Sequence, residues 1–195
     1  MLDLLTKSKI RKKIILLFVY NQRREFYLSE IARLVKTSAG TAQRELNKLL
    51  HMDLLSFQKK GNLNIYSLNV RHPLLEEIES ITRKTFGIEV ELQAELNKIR
   101  HISYAFLFGT YVKGGFKSDS DIDLYIIGNV DEDQLFDATQ RVEEIVGREI
   151  NYHISGIREF KDQAKKDYFH KDIIKNYTLL LGDENAFRSF IEQVP

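Results

Sequence analysis

Apolar residues recur at helical spacing from residue 4 to residue 20 (Leu4, Leu5, Ile10, Ile14, Leu17, Phe18), which predicts a helix. Tyr27 to Val35 predicts a second, with Ser29 as N-cap and Ile31, Ala32 and Val35 turned inward. Lys36-Thr37-Ser38 breaks the pattern, and a longer helix follows from Ala39 to Met52, capped by Ser38, with Leu46, Leu49 and Leu50 on its apolar side. The period then changes to two. Residues 54–58 and 64–68 alternate on either side of a turn at 59–62, which predicts a hairpin. His72-Pro73 closes this segment, and amphipathic helices are predicted over 74–87 and 89–100. Tyr104 to Phe108 is a continuous apolar run, as in a strand covered on both faces. Asp121 to Gly128 predicts another strand, 131–147 a helix, 149–154 a strand, 157–167 and 168–176 helices, and 177–181 a last strand ending at Gly182-Asp183. The expected class is α+β (mixed α/β). The expected domains are 1–72 and 101–195, with linker helices at 73–100 between them, the last domain carrying a mixed sheet with flanking helices.

Composition narrows the function classes. The 195 residues are 43% hydrophobic and 29% charged, enough to bury a core. The most apolar stretch, Ile14 to Val19, is far too short to cross a bilayer, and no small-residue cleavage site follows it. A core helix in a cytoplasmic protein without a membrane partner is therefore expected. The absence of cysteine excludes disulfides, thiolate metal sites and cysteine nucleophiles. The net charge of +1 conceals a segregation: residues 1–72 hold 14 Lys and Arg against 5 Asp and Glu, whereas the remainder holds 15 against 23. The basic part suits a polyanion, and the acidic part suits cations.

Three helices followed by a basic hairpin resemble, over residues 8–70, the winged helix-turn-helix domain of bacterial and archaeal transcription regulators. That resemblance implies double-stranded DNA as a partner, with the second helix of the motif in the major groove. Its outward side carries Ser38, Thr41, Gln43, Arg44, Asn47 and Lys48, and Arg, Gln and Asn can make paired hydrogen bonds to base edges. Lys36, Lys59 and Lys60 would meet phosphates. Regulators of this kind usually read paired half-sites as two-fold dimers, so a homodimer seamed by Leu74, Leu75, Ile78 and Ile81 is expected.

The second half carries the chemistry. Gly109-Thr110 ends the apolar run, and ten residues later comes Asp121-Ile122-Asp123-Leu124. Alternate residues of a strand share a face, so Asp121 and Asp123 point the same way, about 7 Å apart, while Ile122, Leu124 and Ile126 point into the core. Two carboxylates so placed are costly to desolvate without a counterion, and oxygen ligands favour magnesium. An EF-type calcium loop starting at Asp119 is excluded, since Leu124 and Val130 stand where it needs glycine and glutamate. A P-loop fails too, for want of a Gly-Lys-Ser/Thr at the required spacing.

The segment Gly109 to Leu124 resembles the signature of the DNA polymerase beta-type nucleotidyltransferase superfamily, and is close to its small prokaryotic "minimal" members. The resemblance implies that Gly109, Thr110, Lys113 and Ser120 hold the triphosphate of a nucleotide, and that Asp121 and Asp123 bind magnesium. Members that transfer nucleotides usually have a third acid on the next strand. Asn151 stands at the best-matching position here and cannot act as a base, while Glu149 lies two residues earlier on the same strand face. His153 shares that face. The expected function is a DNA-binding transcription regulator with a nucleotidyltransferase-like domain that binds a magnesium–nucleoside triphosphate and transfers a nucleoside monophosphate to an acceptor. The alternatives are a degenerate domain that only senses nucleotide, or one that contacts a protein partner such as a toxin.

Overall fold

The computed structural model describes residues 6–114 and 121–192, so Ser120 among the expected site residues lies outside the described residues. Two compact units divide the chain: residues 1–90 with 144–147, and residues 91–143 with 148–195. The class is mixed α+β, with two sheets.

In the first unit, α1 (Lys9–Tyr20) begins at Ser8, whose Oγ accepts from Arg11 N at 3.2 Å. Its second half is buried on every side, from Ile14 to Tyr20, so this helix runs through the middle of the unit and not along its surface. A two-residue strand, β1 (Phe26–Tyr27), leads into α2 (Leu28–Leu34). Ser29 therefore lies inside the helix, and the N-cap is Tyr27, which makes no side-chain bond: pairing of β1 into the sheet fixes the entry in place of a cap. Lys36, at φ 54°, turns the chain towards α3 (Ala39–His51), where Ser38 caps through a bond from Thr41 N. Strands β2 (Leu55–Lys60) and β3 (Leu63–Leu68) form an antiparallel hairpin, and the sheet order is β1-β3-β2. Only Gly61 (φ 59°) and Asn62 are left for the loop, a two-residue hairpin needing positive φ. Lys59 and Lys60 are thus strand residues, not turn residues. Phe18 meets Phe26 edge-on at 5.3 Å, amid fully buried Ile31, Leu46, Leu49 and Tyr66.

Helix α4 (Leu75–Phe86) corrects the expected dimer seam. Leu75 and Ile78 are buried within the chain, and of the four proposed residues only Leu74 is largely exposed, at 56%. An apolar stripe at helical spacing had an internal partner. The boundary between the units falls within α5 (Ile88–Leu96).

The second unit is built on β4 (Ile102–Phe108), β5 (Ile122–Gly128), β6 (Ile150–Ser155) and β7 (Thr178–Leu181), in the order β6-β5-β4-β7. β5 and β6 are parallel, joined by α7 (Glu132–Val146); the other neighbours are antiparallel. Short α6 (Gly109–Gly114) follows β4 directly. Helices α8 (Ile157–Lys166), α9 (Tyr168–Ile173) and α10 (Glu184–Glu192) follow β6 and β7. The helix α10 is absent from the sequence expectation, although Asp183 caps it by accepting from Ala186 N at 2.8 Å and Phe187 anchors it.

Ala105, Leu107, Ile122, Leu124 and Ile126 are fully buried on one sheet face. The opposite face bears Phe106, Phe108, Tyr125 and Ile127, packed with Phe160, Ala164, Ile173 and Phe187. Phe106 stacks on Tyr125 at 5.4 Å and 6°. This aromatic face continues into the aspartates: Phe108 pairs with Asp123, and Phe106 with Tyr125. Ile122, Leu124 and Ile126 lie in the core as expected, with the aspartates on the other face; that face is covered too, and the acids occupy its open end.

Candidate functional site

The site is assembled by register. Asp123 pairs with Phe108 on one side and Asn151 on the other, and Tyr125 pairs with His153. Asp121, Asp123, Asn151 and His153 therefore share one face of the sheet. Glu149 is exposed beside this edge, where its carbonyl accepts from Ile122 N at 2.9 Å.

Gly109 sits against this group. Its φ is +76°, and a Cβ built there would overlap Asp123 Oδ2 and lie 3.2 Å from Asp123 Cγ. Only glycine lets the chain leave β4 at this angle while Asp123 keeps its place. Thr110 is exposed next to it. Lys113, expected to neutralise phosphate, pairs at 3.4 Å with Asp172 of α9.

Burial pushes the Asp123 carboxyl up from its ordinary value; the charge of His153 opposes this and that of Asp121 adds to it. A cation placed between the two aspartates would relieve both contributions. Asn151 answers part of the need without one. Its Nδ2 donates to Asp121 Oδ2 at 3.2 Å, so an amide dipole stands where a third acid would repel. The oxygen donors are the two carboxylates, which suit magnesium retaining water or phosphate ligands. Among the described residues no group of three His, Cys, Asp or Glu is gathered to hold a metal.

Behind the acids runs a polar chain that spacing alone did not reveal. Asp167 Oδ2 meets His170 Nδ1 at 2.7 Å, and His170 Nε2 meets the Tyr125 hydroxyl at 2.9 Å. The hydrogen bond from His170 holds the Asp167 carboxyl below its usual range. Tyr125 stacks on His153 at 6.0 Å and 17°.

In the first unit the outward residues of α3 are not equally available. Arg44 is exposed and touches Thr41 Oγ1 at 3.3 Å, and Asn47 is exposed. The Gln43 amide is held by the buried Tyr66 hydroxyl at 2.8 Å and by Asn47 at 2.9 Å. Lys48 pairs with Glu45 at 3.0 Å. Glu45 also holds Arg11 at 2.7 Å; burial raises its pKa, but its two cations outweigh that and hold it low. Lys36 is bonded to Glu144, and Lys60 lies 3.7 Å from Glu25. Lys59 is exposed. Among the described residues no helix is long and apolar enough to cross a membrane.

Comparison with known proteins concerns the second unit. No curated protein sequence matches the chain. Similar solved structures include a toxin–antitoxin with AMP-PNP, at 16% identity and TM-score 0.41 over 54% of this chain and 82% of the other. Another is a tri-AMPylated Shewanella oneidensis HEPN toxin in complex with MNT antitoxin, at 14% identity and TM-score 0.38 over 55% and 80%. The toxin–antitoxin MntA–HepT gives the same values. Residues 90–185 match the family model described as "Polymerase beta, Nucleotidyltransferase", which makes this part of the chain a nucleotidyltransferase-like domain.

Proposed function

We propose that the nucleotidyltransferase-like domain binds a magnesium–nucleoside triphosphate, and that the first unit is a winged helix-turn-helix that carries this domain to double-stranded DNA. The observation that carries the first half is the fit of Gly109 beneath Asp123, within a segment matching the nucleotidyltransferase family. At φ +76° glycine is unstrained, whereas any side chain there would meet Asp123 Oδ2, so the backbone comes closer to the carboxylate than any other residue would allow. Such closeness makes sense where backbone and carboxylate approach one ligand together. In this reading Asp121 and Asp123 hold the magnesium ion, which when bound neutralises phosphate charge. Gly109 and Thr110 face the phosphates, and Lys113 exchanges Asp172 for them.

The +9 balance of residues 1–72 and the exposed Arg44, Asn47 and Lys59 support the DNA half. Gln43 is held against Tyr66, so base reading falls to Arg44 and Asn47.

Transfer is the second reading, and Glu149 favours it. An acceptor hydroxyl would attack the α-phosphorus, forming the new O–P bond as the bond to the bridging oxygen breaks. Pyrophosphate leaves, and the hydroxyl proton passes to Glu149. Incubation with each labelled triphosphate and magnesium, using wild type, Glu149→Gln and Asn151→Asp, tests this. Label transferred by wild type and lost in Glu149→Gln supports transfer. Binding without transfer by wild type leaves the domain a nucleotide sensor. Failure to bind any magnesium–triphosphate at millimolar concentration overturns both readings and leaves a protein partner as the domain's ligand.

A further inference from the structure

Phe169 is a large aromatic side chain left 39% exposed, on a six-residue helix that is otherwise firmly held. Asp167 caps α9 through Phe169 N at 3.3 Å, His170 and Ile173 are buried, and Asp172 reaches Lys113 of α6 at 3.4 Å. The Phe169 ring lies 5.6 Å from the His153 ring and 5.7 Å from the Phe108 ring, at 55° and 81°. Those two contacts place it beside the acids. Phe108 immediately precedes Gly109 and pairs with Asp123, and His153 is diagonal to Asp123 across adjacent parallel strands. Strand geometry puts that diagonal at about 8 Å. His153 is itself exposed, and its charge is felt at Asp123.

We propose that Phe169, backed by His153 and Phe108, is the surface on which the base of the nucleoside triphosphate stacks. This rests on the magnesium–triphosphate reading given above. The phosphates of such a ligand are fixed at Gly109 and between the aspartates, so its other end has to lie on the open surface nearby. The described part of that surface offers a partly exposed aromatic ring held against Phe108 and His153, which suits stacking: area without a large loss of side-chain freedom on binding. A stacking face contacts every base alike. The surface therefore binds purine and pyrimidine triphosphates with affinities within about tenfold of one another.

The test compares magnesium–ATP with magnesium–tripolyphosphate, which has the phosphates and no base, by calorimetry on the full chain. Phe169→Ala and Phe169→Leu are expected to weaken ATP on the order of tenfold or more while leaving tripolyphosphate unchanged. Leucine keeps apolar volume and loses the π-face, and unchanged tripolyphosphate binding reports that the site is still folded. The chain has no tryptophan, so Phe169→Trp introduces a single indole. It is expected to retain ATP affinity, with its fluorescence quenched by ATP and not by tripolyphosphate. ATP and tripolyphosphate bound equally by wild type, or an unchanged ratio in Phe169→Ala and Phe169→Leu, overturns the stacking surface and leaves the phosphate site standing. If wild type binds neither, the triphosphate reading fails and the stacking surface falls with it.

Discussion

Replacing Gly109 by alanine probes the central geometry with one carbon atom. The residue has φ +76°, where an L-residue costs about 1–2 kcal/mol more than glycine. The added Cβ would also overlap Asp123 Oδ2, so the carboxylate must swing away. An off-rotamer side chain costs about 0.5–1.5 kcal/mol, which brings the total to about 1.5–3.5 kcal/mol of stability. The larger effect falls on ligand binding. A carboxylate displaced from its partner Asp121 no longer shares a magnesium ion with it, so magnesium–triphosphate affinity should fall by at least about a hundredfold, as for loss of a charged contact worth about 3 kcal/mol. Urea unfolding gives the first quantity and calorimetry the second. Gly40→Ala is the control: nothing lies within 4 Å of a Cβ there, and it sits in α3, so stability should hold or rise by up to about 1 kcal/mol. Wild-type stability and wild-type affinity in Gly109→Ala would refute the reasoning, because neither the strain nor the overlap would then exist.

Asp123→Asn should raise the urea midpoint slightly at neutral pH while abolishing magnesium–triphosphate binding. The folded-state pKa of Asp123 is raised above its unfolded value, so its ionisation costs stability as pH rises through that interval, and the cost is full above it. The advantage of the variant should therefore vanish at pH values below the unfolded carboxyl pKa of about 3.9. Asn151→Asp should lower stability by about 1 kcal/mol without magnesium, from a like charge near 3.2 Å in a solvated setting, and added magnesium should restore it. Tyr125→Phe leaves His170 Nε2 without the partner it has at 2.9 Å, so unfolding should come about 1–3 kcal/mol sooner. Duplex DNA binding by the full chain, if Lys36, Lys48, Lys59 and Lys60 each neutralise a phosphate, should weaken roughly 150-fold between 50 and 200 mM salt. Electrophoretic mobility shift at the two salt concentrations checks it, and salt-independent binding would count against the DNA reading.

The sequence exposed what depends on neighbours in the chain. Period-two alternation placed Asp121 and Asp123 on one face, and the glycine after an apolar run marked the turn that meets them. Ser38 capped α3 as its position foretold. Residues brought together across the fold were illegible. Phe169 and Asp172 reach the site because α9 packs under the sheet, and nothing in their spacing ties them to Gly109 or Lys113. The bonds of Gln43 to Tyr66 and of Lys36 to Glu144 likewise join residues far apart in sequence, and they change which outward side chains are free. The stripe from Leu75 to Ile78 looked like a seam because periodicity reports that a face is apolar and not what covers it. Alternation also placed Ile122, Leu124 and Ile126 in the core, but not the helices that bring Phe160 and Phe187 onto the face the aspartates share.

Calorimetric titration of the full chain with ATP, in the presence and absence of magnesium, bears most directly on the claim that Gly109, Asp121 and Asp123 form a magnesium–triphosphate site. Saturable binding with a submillimolar Kd, requiring magnesium and lost in Asp123→Asn, is the result predicted. No heat of binding at millimolar ATP with magnesium, or binding indifferent to both magnesium and Asp123→Asn, would contradict it.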